Sequence, residues 1–257
     1  MDLRLTWLQV AAMLTVALLT VILPVCVMLL LRRRGGKWRT FLIGALTFFL
    51  SAMVLEQLLH TAVMLSPLGE TIQGNIWLYA LYGGLAAGLF EETGRLAAFR
   101  FLLKKETAPV TALAYGAGHG GIEAALVVGV TMISNIALVT MVGNGAVTDP
   151  AVTEMAAAVA ANPAGMFLWA GFERCTAILL HITNSVLVFA AVRQKRYLLY
   201  GLAILLHAGL NMLAVILNTV CPVAVTELLI LAFAVSAAFL TRALTKNLTF
   251  PQVEGIQ

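Results

Sequence analysis

Residues 76–103, IWLYALYGGLAAGLFEETGRLAAFRFLL, form an apolar run that is long enough to cross a bilayer, yet the run contains Glu91, Glu92 and Arg95. A membrane-spanning helix needs about 20 mostly apolar residues. A carboxylate in hydrocarbon is costly unless it is paired or neutralised. A chain that keeps two adjacent carboxylates at this place is therefore expected to use them.

The composition of the whole chain is that of an integral membrane protein. Of its 257 residues, 61% are hydrophobic and 11% are charged, whereas soluble domains average about 25% charged residues. The basic residues flank apolar runs, so membrane lipid is the expected partner and nucleic acid is not. The three cysteines show no CxxC spacing, which gives no sign of a thiolate zinc site. We expect one membrane domain over residues 1–257, with a catalytic-like helical core at about 76–217.

The apolar runs predict an all-α, polytopic transmembrane bundle of about seven spans. They cover residues 7–31, 41–65, 76–103, 110–142, 163–192, 197–217 and 223–244. Most of the 16 lysine and arginine residues follow the first, third, fifth and seventh runs. The positive-inside rule then places the N-terminus outside and the C-terminus in the cytoplasm.

Four ionisable residues on four different spans share one depth. Counting from the basic end of each span places Glu92, His119, His181 and His207 about 16–21 Å from the cytoplasmic boundary. That depth is near the middle of a hydrocarbon core about 30 Å thick. We therefore expect these side chains to meet in one buried site.

Polar residues also recur four positions apart, a spacing that places both on one helix face. The pairs are Glu91 with Arg95, His119 with Glu123, His181 with Ser185, and His207 with Asn211. Adjacent residues differ by about 100° around a helix, so Glu91 and Glu92 cannot point the same way. One of them is expected to face the site, while the other pairs with an arginine or accepts a neighbour's hydrogen bond.

This set of residues suits hydrolysis of an amide inside the membrane. A carboxylate can act as general base on water, and a histidine or the Asn211 amide can stabilise an oxyanion. Histidine nitrogen and glutamate oxygen can also bind zinc, and the residues leave open whether zinc or no metal takes part. The candidate catalytic residues are Glu91, Glu92, His119, His207 and Asn211. The candidate supporting residues are Arg95, Glu123 and His181, and the candidate metal ligands are His119, Glu123, His181 and His207.

Structural alternatives stand beside these assignments. Glu91, Glu92 and Arg95 could form an ion pair that only stabilises the bundle, although one arginine cannot neutralise two acids. Arg174 could pair with Glu123 and remove it from the ligand set. A further polar set is expected to be a structural network that ties the second span to the fifth. It comprises Glu56, His60, Glu173 and Arg174.

Three motifs resemble those of the YhfC family of bacterial intramembrane proteases. They are EETGR at 91–95, YGAGH at 115–119 with Glu123 after it, and HAGLN at 207–211. The segment 173–185 is also similar to that family. The resemblance covers about 76–211 and extends to the type II CAAX prenyl endopeptidases, PrsW proteases and the APH subunit of γ-secretase. It implies a glutamate-activated water, a bacterial cytoplasmic membrane location and a metal whose role is disputed.

The function that we expect is an intramembrane endopeptidase, of glutamic or metal-dependent type, acting on a membrane-embedded protein or peptide. Such a substrate requires a gap between helices or a cytoplasm-facing cavity. A non-catalytic scaffold or immunity protein of the same fold is the alternative, followed by a proton-coupled transporter. The substrate, the oligomeric state and the identity of the base among Glu91 and Glu92 stay open.

Overall fold

The computed structural model describes residues 3–247, and these residues form nine helices and no β-strand. The helices are α1 (Trp7–Arg32), α2 (Trp38–Met64), α3 (Pro67–Gln73), α4 (Ile76–Ala97), α5 (Val110–Gly143), α6 (Pro150–Ala161), α7 (Ala164–Gln194), α8 (Leu198–Val220) and α9 (Val223–Thr245). The predicted helical, polytopic fold is confirmed, and the protein is a multi-pass membrane protein.

Six of the helices within residues 3–247 are long and apolar enough to cross a membrane, namely α1, α2, α5, α7, α8 and α9. The prediction had about seven spans, and the difference is α4. This helix has 22 residues but carries Glu91, Glu92 and Arg95, which lower its apolarity. The role of α4 as a seventh span and the orientation of the termini stay predictions.

Three helices contain or continue into a π-helical segment, which the sequence analysis did not anticipate. The segments are Phe49–Glu56 in α2, Ala98–Leu102 after α4, and Ala124–Gly129 in α5. A π-helical turn widens the helix and often marks a functional region. The Arg193 side chain of α7 donates hydrogen bonds to the carbonyl oxygens of Phe99 and Leu103, which satisfies acceptors at the end of the segment after α4.

Glycine lets α5 lie between α2 and α7 in direct backbone contact. A Cβ atom on Gly118 would lie 1.9 Å from the carbonyl oxygen of Phe41 in α2. On the opposite face, a Cβ atom on Gly116 would lie 2.5 Å from the Cα atom of Ile182 in α7. Small residues are what permits such close approach of helices in a membrane. The same packing leaves the His119 side chain fully buried.

The helices α4 and α8 pack against each other in a similar way. A Cβ atom on Gly84 would lie 2.7 Å from the carbonyl oxygen of Ala208, and one on Gly88 would lie 2.8 Å from that of Ile204. The helix α7 is the most enclosed of the six candidate spans, with 72% of its most apolar stretch buried against 22–28% in the others. The polar faces of α4, α5 and α8 therefore meet around α7.

Candidate active site

The Glu91 carboxylate of α4 lies against histidines from three other helices. His119 of α5 donates a hydrogen bond through Nε2 to Glu91 Oε2 at 2.8 Å. His181 Nδ1 of α7 lies 3.9 Å from the same oxygen, and His207 Nε2 of α8 lies 3.8 Å from Glu91 Oε1. All four side chains are buried. The structure thus brings together the four helices whose polar residues share one predicted depth.

Glu92 points elsewhere and is fully engaged. The guanidinium of Arg95 donates from Nη1 to both of its oxygens, at 2.6 and 2.5 Å. The Asn184 amide and the Nδ1 atom of His207 also bond to Glu92 Oε1, at 3.1 and 2.8 Å. The two acids therefore separate as expected, and the arginine pairs with Glu92 three residues earlier. The sequence spacing of four residues between Glu91 and Arg95 had instead predicted that these two side chains share a helix face.

His181 connects this inner group to a second ion pair. Its Nδ1 atom accepts a hydrogen bond from Arg95 Nη2 at 3.0 Å, and its Nε2 atom contacts the Glu123 carboxylate. Glu123 in turn accepts a hydrogen bond from Arg174 Nη1 at 2.8 Å, and Arg174 also pairs with Glu173. Arg174 thus pairs with Glu123, the alternative that would remove Glu123 from the ligand set. Glu123 is placed to orient the His181 ring, as carboxylates behind metal-binding histidines do.

The residues around Glu91 are compatible with a divalent metal ion, for which His181 would have to exchange the hydrogen bond that Nδ1 accepts from Arg95. One oxygen of Glu91 and one nitrogen each of His119 and His181 lie within 4.8 Å of one another. Two histidines and one glutamate are a donor set of catalytic zinc sites. The buried Nδ1 atom of His119 has no hydrogen-bond partner among residues 3–247. His207 and Glu123 lie outside this group of three, so their assignment as ligands stays a prediction.

The charge of the surroundings also suits a dication. The connected polar cluster contains four carboxyl groups and two guanidinium groups besides its histidines, so its acids outnumber its arginines by two. The carboxylates belong to Glu91, Glu92, Glu123 and Glu173, and the guanidinium groups belong to Arg95 and Arg174. Buried charges need such compensation, which a bound cation would supply.

Comparison with known proteins identifies the family. Residues 19–235 match the family described as YhfC intramembrane metalloprotease. The chain belongs to this family. It is 36% identical to the membrane protein YhfC of Bacillus subtilis (strain 168) over 195 residues, which cover 72% of this chain and 75% of that protein. No solved structure gives a significant match.

Family membership supports an intramembrane protease at the level of the family's description, and a metal such as zinc is compatible with it. The match also extends beyond the region 76–211 that carries the sequence motifs, into the first, second and last spans. The family match therefore covers α2 to α8 completely and α1 and α9 in part.

Asn211 and His60, one member of the second polar set, line a cavity at the end of the bundle away from the basic residues. The cavity has a volume of about 600 Å³. His60 bonds through Nε2 to Glu56 at 3.1 Å and through Nδ1 to the hydroxyl of Tyr82 at 2.8 Å. In the polar set that was expected to tie the second span to the fifth, Glu56 and His60 therefore link α2 to α4. Arg174 links α7 to α5.

Asn184 is a site residue that the sequence analysis missed. Its side chain is fully buried in α7, and its amide donates to Glu92 and to the carbonyl oxygen of Ala203 in α8 at 3.2 Å. The sequence did indicate Asn184, because it follows His181 by three residues. Residues three apart lie on one helix face, as residues four apart do. The spacing of four from His181 leads instead to Ser185, whose hydroxyl donates to a backbone carbonyl of its own helix.

Proposed function

We propose that the protein is an intramembrane endopeptidase in which Glu91 activates the attacking water. The observation that carries this proposal is the difference in hydrogen bonding between the two adjacent acids. Within residues 3–247, Glu92 is held by two hydrogen bonds from Arg95 and one each from Asn184 and His207, whereas Glu91 makes one hydrogen bond and faces three imidazoles. A general base needs an oxygen that is free to accept a proton, and only Glu91 offers one.

The roles of the residues follow from their positions. Glu91 takes a proton from a water molecule while the oxygen of that water bonds to the scissile carbonyl carbon. The carbonyl oxygen becomes an oxyanion, which His207 in its imidazolium form can stabilise by a hydrogen bond from Nε2, while Nδ1 donates to Glu92. When the C–N bond breaks, Glu91 returns the proton to the leaving amine, directly or through His119. His119 and His207 thus lie on either side of the reacting water.

Glu91, His119 and His181 would hold a zinc ion if the protein uses one, and Glu91 would then serve as a ligand instead of the free base. Bound zinc supplies Lewis acidity toward the scissile carbonyl and its attacking water. Glu123 then keeps the His181 ring oriented, and Arg95 and Glu92 enclose the site from the other side. Asn211 lies one helical turn beyond His207 and contributes to substrate contact.

A non-catalytic scaffold is the second candidate, and the two arginine pairs favour it. Arg95 holds Glu92 and Arg174 holds Glu123, as a purely structural polar core would require. Glu91 is the carboxylate that this reading leaves unexplained, since neither arginine pairs with it within residues 3–247.

The test combines metal content with cleavage on the purified full chain in lipid nanodiscs. The wild type is compared with Glu91→Gln and His119→Ala, and Glu70→Gln on the exposed face of α3 is the matched control. The probes are dye-quencher transmembrane peptides. Glu91→Gln is expected to lower cleavage about 10²- to 10⁴-fold, as for loss of a general base, while Glu70→Gln keeps it.

Each result has a defined meaning. Near-stoichiometric zinc that is lost in His119→Ala supports a metalloprotease, and cleavage without metal supports a glutamate-type protease. Cleavage by Glu91→Gln at the wild-type rate overturns the mechanism. A wild type that neither binds metal nor cleaves any peptide favours the scaffold.

A further inference from the structure

A cavity that is lined in part by polar side chains begins one helical turn from the site. The cavity of about 600 Å³ is lined by residues of α2, α3, α4 and α8, among them Gln73, Gly83 and Asn211. Its volume lies within the range of about 300–1,000 Å³ that is usual for ligand pockets. Asn211 follows His207 by four residues on α8, so both side chains share one helix face. The cavity is therefore continuous with the face that carries the site.

The polar groups of the cavity are of two kinds. The Tyr82 hydroxyl is fixed by His60, whose other nitrogen bonds to the buried Glu56, so the phenol ring has one orientation. The Asn211 amide, by contrast, makes no hydrogen bond to any residue within 3–247. An amide offers both donors and an acceptor. A free amide in a cavity at membrane depth calls for a ligand with the complementary groups.

We infer that this cavity is a substrate subsite, which holds a partly unwound peptide segment beside the scissile bond with a large apolar or aromatic side chain over Gly83. The inference rests on the proposed function, because it assigns the substrate contacts of that same site. It places the bound segment on the side of Glu91 that faces away from the basic helix ends.

The chemistry of the cavity favours a peptide over a lipid. Peptide groups that are released from a helix in the membrane must find their hydrogen bonds within the protein. Asn211 can supply such bonds to N–H and C=O groups of an extended chain, whereas an acyl chain has no group for them. The apolar remainder of the wall, which includes Ala214 and Val215, suits an apolar side chain.

Gly83 gives a direct way to fill the cavity. A Cβ atom at Gly83 has no atom within 4 Å, so a larger side chain there enters open space without displacing a neighbouring helix. Gly201 of α8 is a matched control, because it is also half-buried, also has no atom within 4 Å of its Cβ position, and does not line the cavity.

The experiment measures binding and cleavage separately. The full chain in phosphatidylcholine nanodiscs is given fluorescent transmembrane peptides with a helix-breaking Gly-Pro centre, identical except for one adjacent residue, Ala, Leu, Phe or Trp. Binding is measured in the Glu91→Gln background and cleavage in the wild type. Gly83→Trp is expected to weaken binding of the Phe peptide about tenfold or more, while Gly201→Trp leaves it unchanged. Gly83→Leu and Gly201→Leu repeat the comparison with smaller side chains if the tryptophan variants do not fold.

A peptide with photoreactive benzoylphenylalanine at the variable position identifies the subsite without filling it from the protein side. Crosslinking to residues that line the cavity supports the inference, and crosslinking only to phosphatidylcholine or to residues outside the cavity overturns it. Equal binding of all peptides by both tryptophan variants, or no saturable binding, also overturns it. If the wild type cleaves and Gly83→Trp cleaves equally well, the subsite fails while the protease stands. If peptides bind over Gly83 but are never cleaved, the protease fails while the binding site stands.

Discussion

Replacing each of the two adjacent acids by glutamine should produce opposite phenotypes. Glu92→Gln removes the charge that compensates Arg95, and both side chains are fully buried. It also places an amide NH₂ group among donors from Arg95 and Asn184. Breaking a buried ion pair by removing one partner costs about 3–5 kcal/mol. We therefore expect Glu92→Gln to lower stability by that amount.

Glu91→Gln should hardly change stability. Glu91 makes a single hydrogen bond, to His119, and the glutamine oxygen can still accept it. A typical hydrogen bond contributes about 1 kcal/mol, which sets the upper limit of the change. The catalytic loss described above should nevertheless be large, because an amide cannot take the proton from water.

Thermal unfolding in detergent, followed by tryptophan fluorescence, separates the two variants. One kcal/mol corresponds to about 2–4 °C for a chain of this size. Glu92→Gln should accordingly lower the midpoint by about 6–20 °C, and Glu91→Gln by no more than about 4 °C. The reasoning is refuted if Glu91→Gln melts as early as Glu92→Gln, or if Glu92→Gln melts with the wild type and cleaves normally.

Two further predictions use the same unfolding assay. Asn184→Ala removes the amide that bonds to Glu92 and to a backbone carbonyl, and should cost about 1–3 kcal/mol; an unchanged midpoint would show that these bonds do not hold α7 to α4 and α8. Gly118→Ala places a Cβ atom 1.9 Å from the Phe41 carbonyl oxygen and should cost about 1–3 kcal/mol or more. Gly83→Ala, which meets no atom within 4 Å, should stabilise by up to about 1 kcal/mol, and equal midpoints for the two alanine variants would contradict the close packing of α2 and α5.

Hydrophobic run length predicted most of the fold, because a bilayer imposes one length on every span. Hydrophobic run length was least informative for α4, because its three buried charged residues lower the mean hydropathy of an otherwise apolar helix. The π-helical segments could not be predicted, since an extra residue in one turn leaves the apolar character of a span unchanged. They alter which residues face the interior after each segment, for example beyond Glu123 in α5.

Depth counting predicted which residues meet, but not their pairing. The distance of Glu92, His119, His181 and His207 from basic anchors is a property of each helix alone, so the sequence contains it. The choice of Arg95 between Glu91 and Glu92 depends on how α4 is rotated against α7 and α8. That rotation is set by Gly84 and Gly88 against α8, a contact between distant parts of the chain. Asn184 was missed for the same reason, because its partners lie on other helices.

The two acids of α4 depend on each other through the histidines. His207 bonds to Glu92 with Nδ1 and turns Nε2 toward Glu91, while Arg95 joins Glu92 to His181. Glu92 therefore fixes the orientation of two of the three imidazoles that face Glu91, and in the proposed mechanism it does not itself face the reacting water. A single acid on α4 could serve either as the proposed base or as the anchor for these rings. Two adjacent acids can do both, because neighbouring positions point about 100° apart around the helix. The positioning that the proposed catalysis requires and the burial of a second carboxylate are then consequences of the same hydrogen-bonded arrangement.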